Sequence, residues 1–161
     1  MIREYSSGDI APLHKILSDP VTMSYWPEPF SPEQTQLWVE RSIESCNKNG
    51  FGRFALIKKT TGEFIGTAGI MISEVNGKNE NDLGYIIYFP FWNSGYATEA
   101  AGAILCWGID SIGLARISAN MAVDNTASAR VAQKIGMTIE TEFLNRRNRD
   151  KLTFLYSLSK H

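Results

Sequence analysis

The chain's 161 residues suffice for one domain with a proper core and are too few for two comfortable ones. Its 16 basic residues stand against 17 acidic, a net charge of -1, so no broad basic field advertises nucleic acid or an anionic membrane. No window approaches an uninterrupted transmembrane span, and the opening MIREYSSGDIAPL lacks the apolar core of a signal peptide, so a soluble, cytoplasmic single domain over residues 1–161 is expected.

In chain order, REYSSGDIAPLHKILSD reads as a short strand, a turn and a helix from about Asp9 to Ser18. His14 on that helix has no partner in sequence and is expected at the surface. The next stretch, DPVTMSYWPEPF, holds three prolines and three aromatics and cannot be one regular element. It is either a surface loop anchored by its aromatics or a wall of a substrate pocket. SPEQTQLWVERSIESC then starts a helix, with Ser31 as cap and Pro32 at the first helical position. RFALIKK (53–59) and EFIGTAGIMIS (63–73) read as strands joined at Gly62, and EVNGKNEN as a polar loop. DLGYIIYF (82–89) is an apolar strand expected to be buried on both faces. A helix follows from about Tyr96 to Ser111, carrying Ala97, Ala101, Leu105 and Gly108 on one small-residue stripe. ARISANMAV alternates as a strand, and a helix runs from about Thr126 to Ile135, with Asn125 as cap and Gly136 as stop. MTIETEF and KLTFLYSLS close the chain as strands around LNRRNRD. The order β-α-α-β-β-β-α-β-α-β-β predicts an α/β or α+β fold with a mixed sheet covered by helices. Cys46 and Cys106 match no metal spacing, no metal is expected, and Cys106 in its apolar stretch is expected to be a buried thiol.

The segment FWNSGYATEA places an Asn93-Ser94-Gly95 turn at the start of a helix. The first turn of a helix leaves backbone N–H groups unpaired at the positive end of the helix dipole. The amides of residues 93–98, with the Thr98 hydroxyl, can therefore line an anion site, and a plain tight turn accounts for the same letters. No Gly-Lys-Ser/Thr follows, which excludes a Walker loop, and the three glycines of a dinucleotide fingerprint are absent.

DLGYIIYFPFWNSGYATEA and, some thirty residues later, VDNTASARVAQKIGM together resemble the GCN5-related N-acetyltransferases (GNAT), most closely the branch of the ribosomal-protein alanine acetyltransferases. The resemblance covers nearly the whole chain. It implies a mostly antiparallel central sheet with a splayed strand pair, helices on both faces, and an acetyl-CoA site. Trp92, Asn93, Ser94, Gly95, Tyr96 and Ala97 fall on the family's pyrophosphate loop. Trp92 replaces the usual Arg or Gln, and Asn93 stands where glycine is frequent. Ile86, Ile87 and Tyr88 would lend backbone groups to the pantetheine arm and thioester. Asn125 matches a cofactor contact and is also a sound helix cap. Ser128 matches a serine near the cofactor sulfur, although a hydroxyl on that helix can equally bond its own backbone. The implied partners are acetyl-CoA and an amine acceptor, such as a ribosomal-protein N-terminus or a small amine, with no nucleic acid or membrane, for a monomer or homodimer.

Acetyl transfer to an amine needs a base, a donor for the developing oxyanion and a proton for the thiolate. An alkylammonium with a pKa of ~10 is no nucleophile. Asp82 falls where this branch often has Glu and could take the proton through water, although Asp is one methylene shorter and an edge-of-strand acid explains it as well. The Ile87 N–H is the oxyanion candidate and Ser128 the donor to the thiolate. Glu99 is explained by the helix dipole, and Cys106 has no neighbouring His or Lys to activate it. Tyr25, Trp26 and Glu28 could shape an acceptor mouth, with Trp26 equally a core residue, and the NRRNRD run (145–150) is a solvated turn or a neighbour of the pocket. The rivals to an enzyme are a CoA-binding sensor or scaffold and a nucleotide-binding regulator. The latter lacks an acidic ribose partner downstream of the loop.

Overall fold

Capping and alternation, the two strongest local signals in the sequence, fix most of the elements. The computed structural model describes residues 1–160. Strand β1 (Ile2–Arg3) is followed by helix α1 (Ile10–Leu17) and helix α2 (Pro32–Asn49). The Gln34 N–H donates to Ser31 Oγ while the Ser31 N–H donates to Gln34 Oε1, so two otherwise orphaned donors at the start of α2 are satisfied. Gly50, at φ +79°, ends that helix. His14 is not a free surface residue, because its Nδ1 lies 2.9 Å from Thr35 Oγ1 and ties α1 to α2.

Strands β2 (Arg53–Ile57), β3 (Phe64–Val75) and β4 (Lys78–Ile87) form a meander, and helix α3 (Tyr96–Trp107) leads to β5 (Arg116–Ala122). Helix α4 (Thr126–Lys134), β6 (Thr138–Asn145) and β7 (Lys151–Ser159) complete the chain. The sheet has seven strands in the order β1-β2-β3-β4-β5-β7-β6, and every pair is antiparallel except β4 with β5. The expected order of elements and mixed sheet are both present. Side chains on one face pack Leu56, Ile70, Leu83, Ile87 and Ile117 under α3 and α4. The opposite face packs Ala55, Ile57 and Ile86 under α1 and α2. The period of two along β2 and β4 is what divides these cores.

Three further local expectations are corrected. The stretch expected as a polar loop is the tip of a long hairpin. Asn76 and Gly77, at φ +49° and +77°, make a two-residue turn that lets β3 and β4 pair up to Val75 and Lys78. Cys106 is exposed, since α3 turns Leu105 into the core and its next residue outward. The α-helix expected to reach Ser111 ends at Trp107 and continues as one wider turn to Ile112.

Candidate active site

The parallel strands β4 and β5 are in register at a single pair, Asp82 with Ser118. On one side of that pair, side chains hold the strands together. Asn81 Nδ2 donates to the Arg116 carbonyl at 2.9 Å, and Arg116 Nε pairs with Glu80 at 3.0 Å. Asn120 Nδ2 donates to Asp82 Oδ1 at 3.0 Å. On the other side β5 is held by β7 through Ala122, and the two strands diverge.

The direction of the β4 backbone follows from its pairing with β3. The Tyr88 N–H donates to the Ile65 carbonyl, and in an antiparallel ladder such bonded residues alternate. Gly84, Ile86 and Tyr88 therefore turn their backbone groups to β3, whereas Tyr85 and Ile87 turn theirs into the gap. The Ile87 carbonyl accepts from Trp92 Nε1 at 2.7 Å. This leaves the Ile87 N–H and both Tyr85 backbone groups facing the opening. Of Ile86, Ile87 and Tyr88, expected to lend backbone groups, Ile86 and Tyr88 face β3 and only Ile87 faces the gap, beside Tyr85. The Tyr85 hydroxyl also donates to Ser128 Oγ at 3.1 Å, so the serine's own proton is free to point elsewhere. The Asn125 side chain caps α4 by accepting from the Ser128 N–H at 3.2 Å.

A cavity of about 440 Å³ occupies the gap. It gathers Asp82, Ser128 and Asn125 with Tyr25, Trp26 and Glu28, so three segments far apart in the sequence meet there. Trp26 both lines the cavity and packs edge-on against Phe30 and Trp38, at ring separations of 5.6 and 5.7 Å. The aromatic loop is pinned by the β6–β7 turn, where Asn148 Nδ2 donates to the Tyr25 carbonyl at 2.8 Å and Arg149 Nη2 to the Trp26 carbonyl at 3.1 Å. NRRNRD is thus part of the wall. Gly84 leaves the floor bare, because a Cβ there would meet nothing within 4 Å.

Asp82 lies at that floor with its carboxyl pushed up to about 7. Burial is the main cause, the Asn120 hydrogen bond and the Arg53 charge oppose it, and Glu80 adds to it. A carboxyl with this affinity can take and release a proton near neutrality. Burial likewise raises the Tyr85 phenol, which therefore stays a donor to Ser128. Sequence reasoning missed Tyr85, Asn120, Trp38 and Arg53. Ser118 and Asn120, the polar positions alternating with the apolar residues of β5, were the only signal for one of them.

Residues 92–98 do not line the cavity. They follow β4 through a single helical turn, Phe89–Phe91, and open to solvent. Asn93 and Gly95 both adopt the left-handed conformation, at φ +58° and +82°. Gly95 precedes α3 with no side-chain cap, and the first returning bond is from the Glu99 N–H to the Gly95 carbonyl. Among the described residues the N–H groups of Tyr96, Ala97 and Thr98 thus have no partner at a 12-residue helix's positive end, and a Cβ on Gly95 would meet nothing within 4 Å. This cradle suits a diphosphate, and the unpaired backbone of Tyr85 and Ile87 suits an amide-bearing arm running from it to the cavity. The donor set therefore fits coenzyme A.

An opened parallel strand pair, an anion cradle and an enclosed carboxyl together mark an acetyltransferase. Residues 1–138 match the acetyltransferase (GNAT) domain family, and the chain belongs to that family. It is 31% identical over 144 residues to the uncharacterized N-acetyltransferase YnaD of Bacillus subtilis, covering 89% of this chain and 81% of the relative. A GNAT-family acetyltransferase from Bacillus anthracis superposes with a TM-score of 0.81 at 26% identity, over 98% of this chain and 93% of that one. A ribosomal L7/L12 alpha-N-protein acetyltransferase in complex with coenzyme A shares the fold, with a TM-score of 0.80 at 17% identity over 98% and 92% of the two chains.

Proposed function

We propose that the protein transfers acetyl from acetyl-CoA directly to a primary amine, within a ternary complex. The acceptor is a small amine or a protein N-terminus, the latter being the acceptor class of the ribosomal-protein branch. The observation that carries the reading is the Asp82 carboxyl at the point where β4 and β5 part, below backbone donors that face the gap.

When bound, acetyl-CoA supplies the acetyl group as an activated thioester. Trp92, Asn93, Ser94, Gly95, Tyr96, Ala97 and Thr98 would hold its diphosphate through backbone amides, and Tyr85, Ile87 and Asn125 its arm. Asp82 accepts the ammonium proton, directly or through one water. The Ile87 N–H donates to the oxygen on which charge develops, an interaction worth roughly 3–4 kcal/mol when well aligned. Ser128, itself receiving the Tyr85 hydrogen bond, turns its own proton toward the leaving sulfur. Tyr25, Trp26 and Glu28 line the acceptor's way in. The Trp92 indole fixes Ile87 by holding its carbonyl.

Free-thiol release from acetyl-CoA against a panel of amines, amino acids and N-terminal peptides tests the reading. At least one acceptor should raise release well above hydrolysis. Tight acetyl-CoA binding with no stimulation by any acceptor would instead favour a sensor or scaffold. Ser128→Ala is expected to lower kcat by about tenfold while the acetyl-CoA Kd stays within about twofold. Tyr85→Phe should move the same way by less. Equal losses in kcat and Kd would return Ser128 to a packing role.

A further inference from the structure

Arg53 lies half-buried on the cavity wall, and nothing in the acetyl transfer derived above uses it. Its guanidinium stacks 3.7 Å from the centre of the Trp38 ring. Among the described residues it makes neither an ion pair nor a side-chain hydrogen bond, in contrast to Arg3, Arg116 and Arg147, which all find carboxylates. Burial lowers its pKa to about 10, so it stays charged at neutral pH. A desolvated guanidinium with vacant donors is costly, and stacking on one indole offsets only part of that cost.

The register shows where those donors stand. Arg53 pairs with Gly69, which pairs with Gly84, and Asp82 is two residues further along β4 on the same face. The two glycines between them carry no side chain, and the cavity lies above Gly84. The cation and the carboxyl therefore face one cavity across a bare floor, close enough to feel each other's charge yet forming no ion pair among the described residues.

Resting on the acetyltransferase reading, we propose that Arg53 is the anchor for a carboxylate on the acceptor, so that the preferred substrate is a free amino acid. Its ammonium lies toward Asp82 and Glu28 and its carboxylate toward Arg53. The planar guanidinium, held flat by Trp38, offers the two parallel N–H donors that match a carboxylate. A phosphate dianion would call for several cations; Arg147, the other arginine on this cavity, pairs with Glu74 at 3.6 Å, and Arg41, whose charge reaches Arg53, lines the neighbouring cavity instead.

The test needs no turnover. Trp38 reports on its own stacked partner, so tryptophan fluorescence is titrated in the presence of coenzyme A. The probes are N-acetylglycine, N-acetyl-leucine, N-acetylmethionine and N-acetylphenylalanine, each paired with its C-terminal amide. Trp38→Phe identifies the reporting signal. At least one carboxylate should bind about tenfold or more tighter than its amide. Arg53→Gln should bring that ratio to within about twofold, and Arg53→Lys should leave an intermediate ratio, with folding of both checked by circular dichroism. Equal binding of every carboxylate and its amide would overturn the proposal, as would a ratio that survives Arg53→Gln. Tighter binding of N-acetylaminomethylphosphonate than of N-acetylglycine would overturn the carboxylate assignment. If carboxylates bind through Arg53 but no amine releases thiol, the transfer reading fails and the anion site stands.

Discussion

Asp82→Asn is expected to lower kcat by about 10²–10³-fold while acetyl-CoA still binds with a Kd within about twofold of the native value. The amide keeps the shape and can still meet Asn120, but it cannot accept the ammonium proton. The pH dependence carries the sharper signature. The Asp82 carboxyl is raised to about 7 by burial, so native kcat should climb as pH rises through that value and the carboxylate forms. The variant's residual rate should lack this step. Asp82→Glu restores a base one methylene longer, and activity within about tenfold of native is expected from it. Stability supplies an independent check. A carboxyl raised from 3.8 to about 7 favours the folded state fully below its unfolded pKa, and that contribution is lost as pH rises through about 7. Native Tm should therefore fall across this window by an amount that Asp82→Asn removes. A kcat within threefold of native in Asp82→Asn would exclude Asp82 as the base, whatever the melting curves do.

The elements were legible because their signals are local. Ser31-Pro32 and Asn125 announce helix starts, and alternation in ARISANMAV announces β5. The Asn76-Gly77 turn was equally local, but the polar letters around it masked the pairing that its two left-handed residues permit. The Asn93-Ser94-Gly95 turn before α3 and Ser128 stood out through two motifs at a specific separation. What the sequence could not supply was convergence. Arg53 and Asp82 share a face only because of the registers of β2, β3 and β4, which also put Gly69 and Gly84 between them. Tyr85 meets Ser128 across 43 residues, and the β6–β7 turn grips the aromatic loop across 123. Trp92 is an unusual letter in its loop, and only the folded chain brings its indole N–H onto the Ile87 carbonyl. Each of these contacts depends on strand register or on loop closure over long separations, and residue type alone encodes neither.

Gly95→Asp should raise the acetyl-CoA Kd by about 100-fold or more, measured by calorimetry or by product inhibition with coenzyme A. Two effects act together, and a second variant separates them. Gly95 sits at φ +82°, where any side chain is strained, so Gly95→Ala should cost about 1 kcal/mol in stability and weaken binding only modestly. A Cβ there meets no protein atom within 4 Å, so the alanine does not displace α3. The aspartate adds a negative charge at the helix end where the free amides of Tyr96, Ala97 and Thr98 present partial positive charge. In the free protein that charge is favourable to the helix, so Gly95→Asp should be no less stable than Gly95→Ala. In the complex it opposes a diphosphate at the same amides. A Gly95→Asp variant that melts no lower than Gly95→Ala while losing far more cofactor affinity therefore distinguishes an anion cradle from a plain turn. Rising salt should narrow the gap between the two variants, because repulsion at this exposed loop is screened over about 10 Å at 0.1 M. If Gly95→Asp and Gly95→Ala bind acetyl-CoA alike, the diphosphate lies elsewhere and the loop is only a connection between β4 and α3.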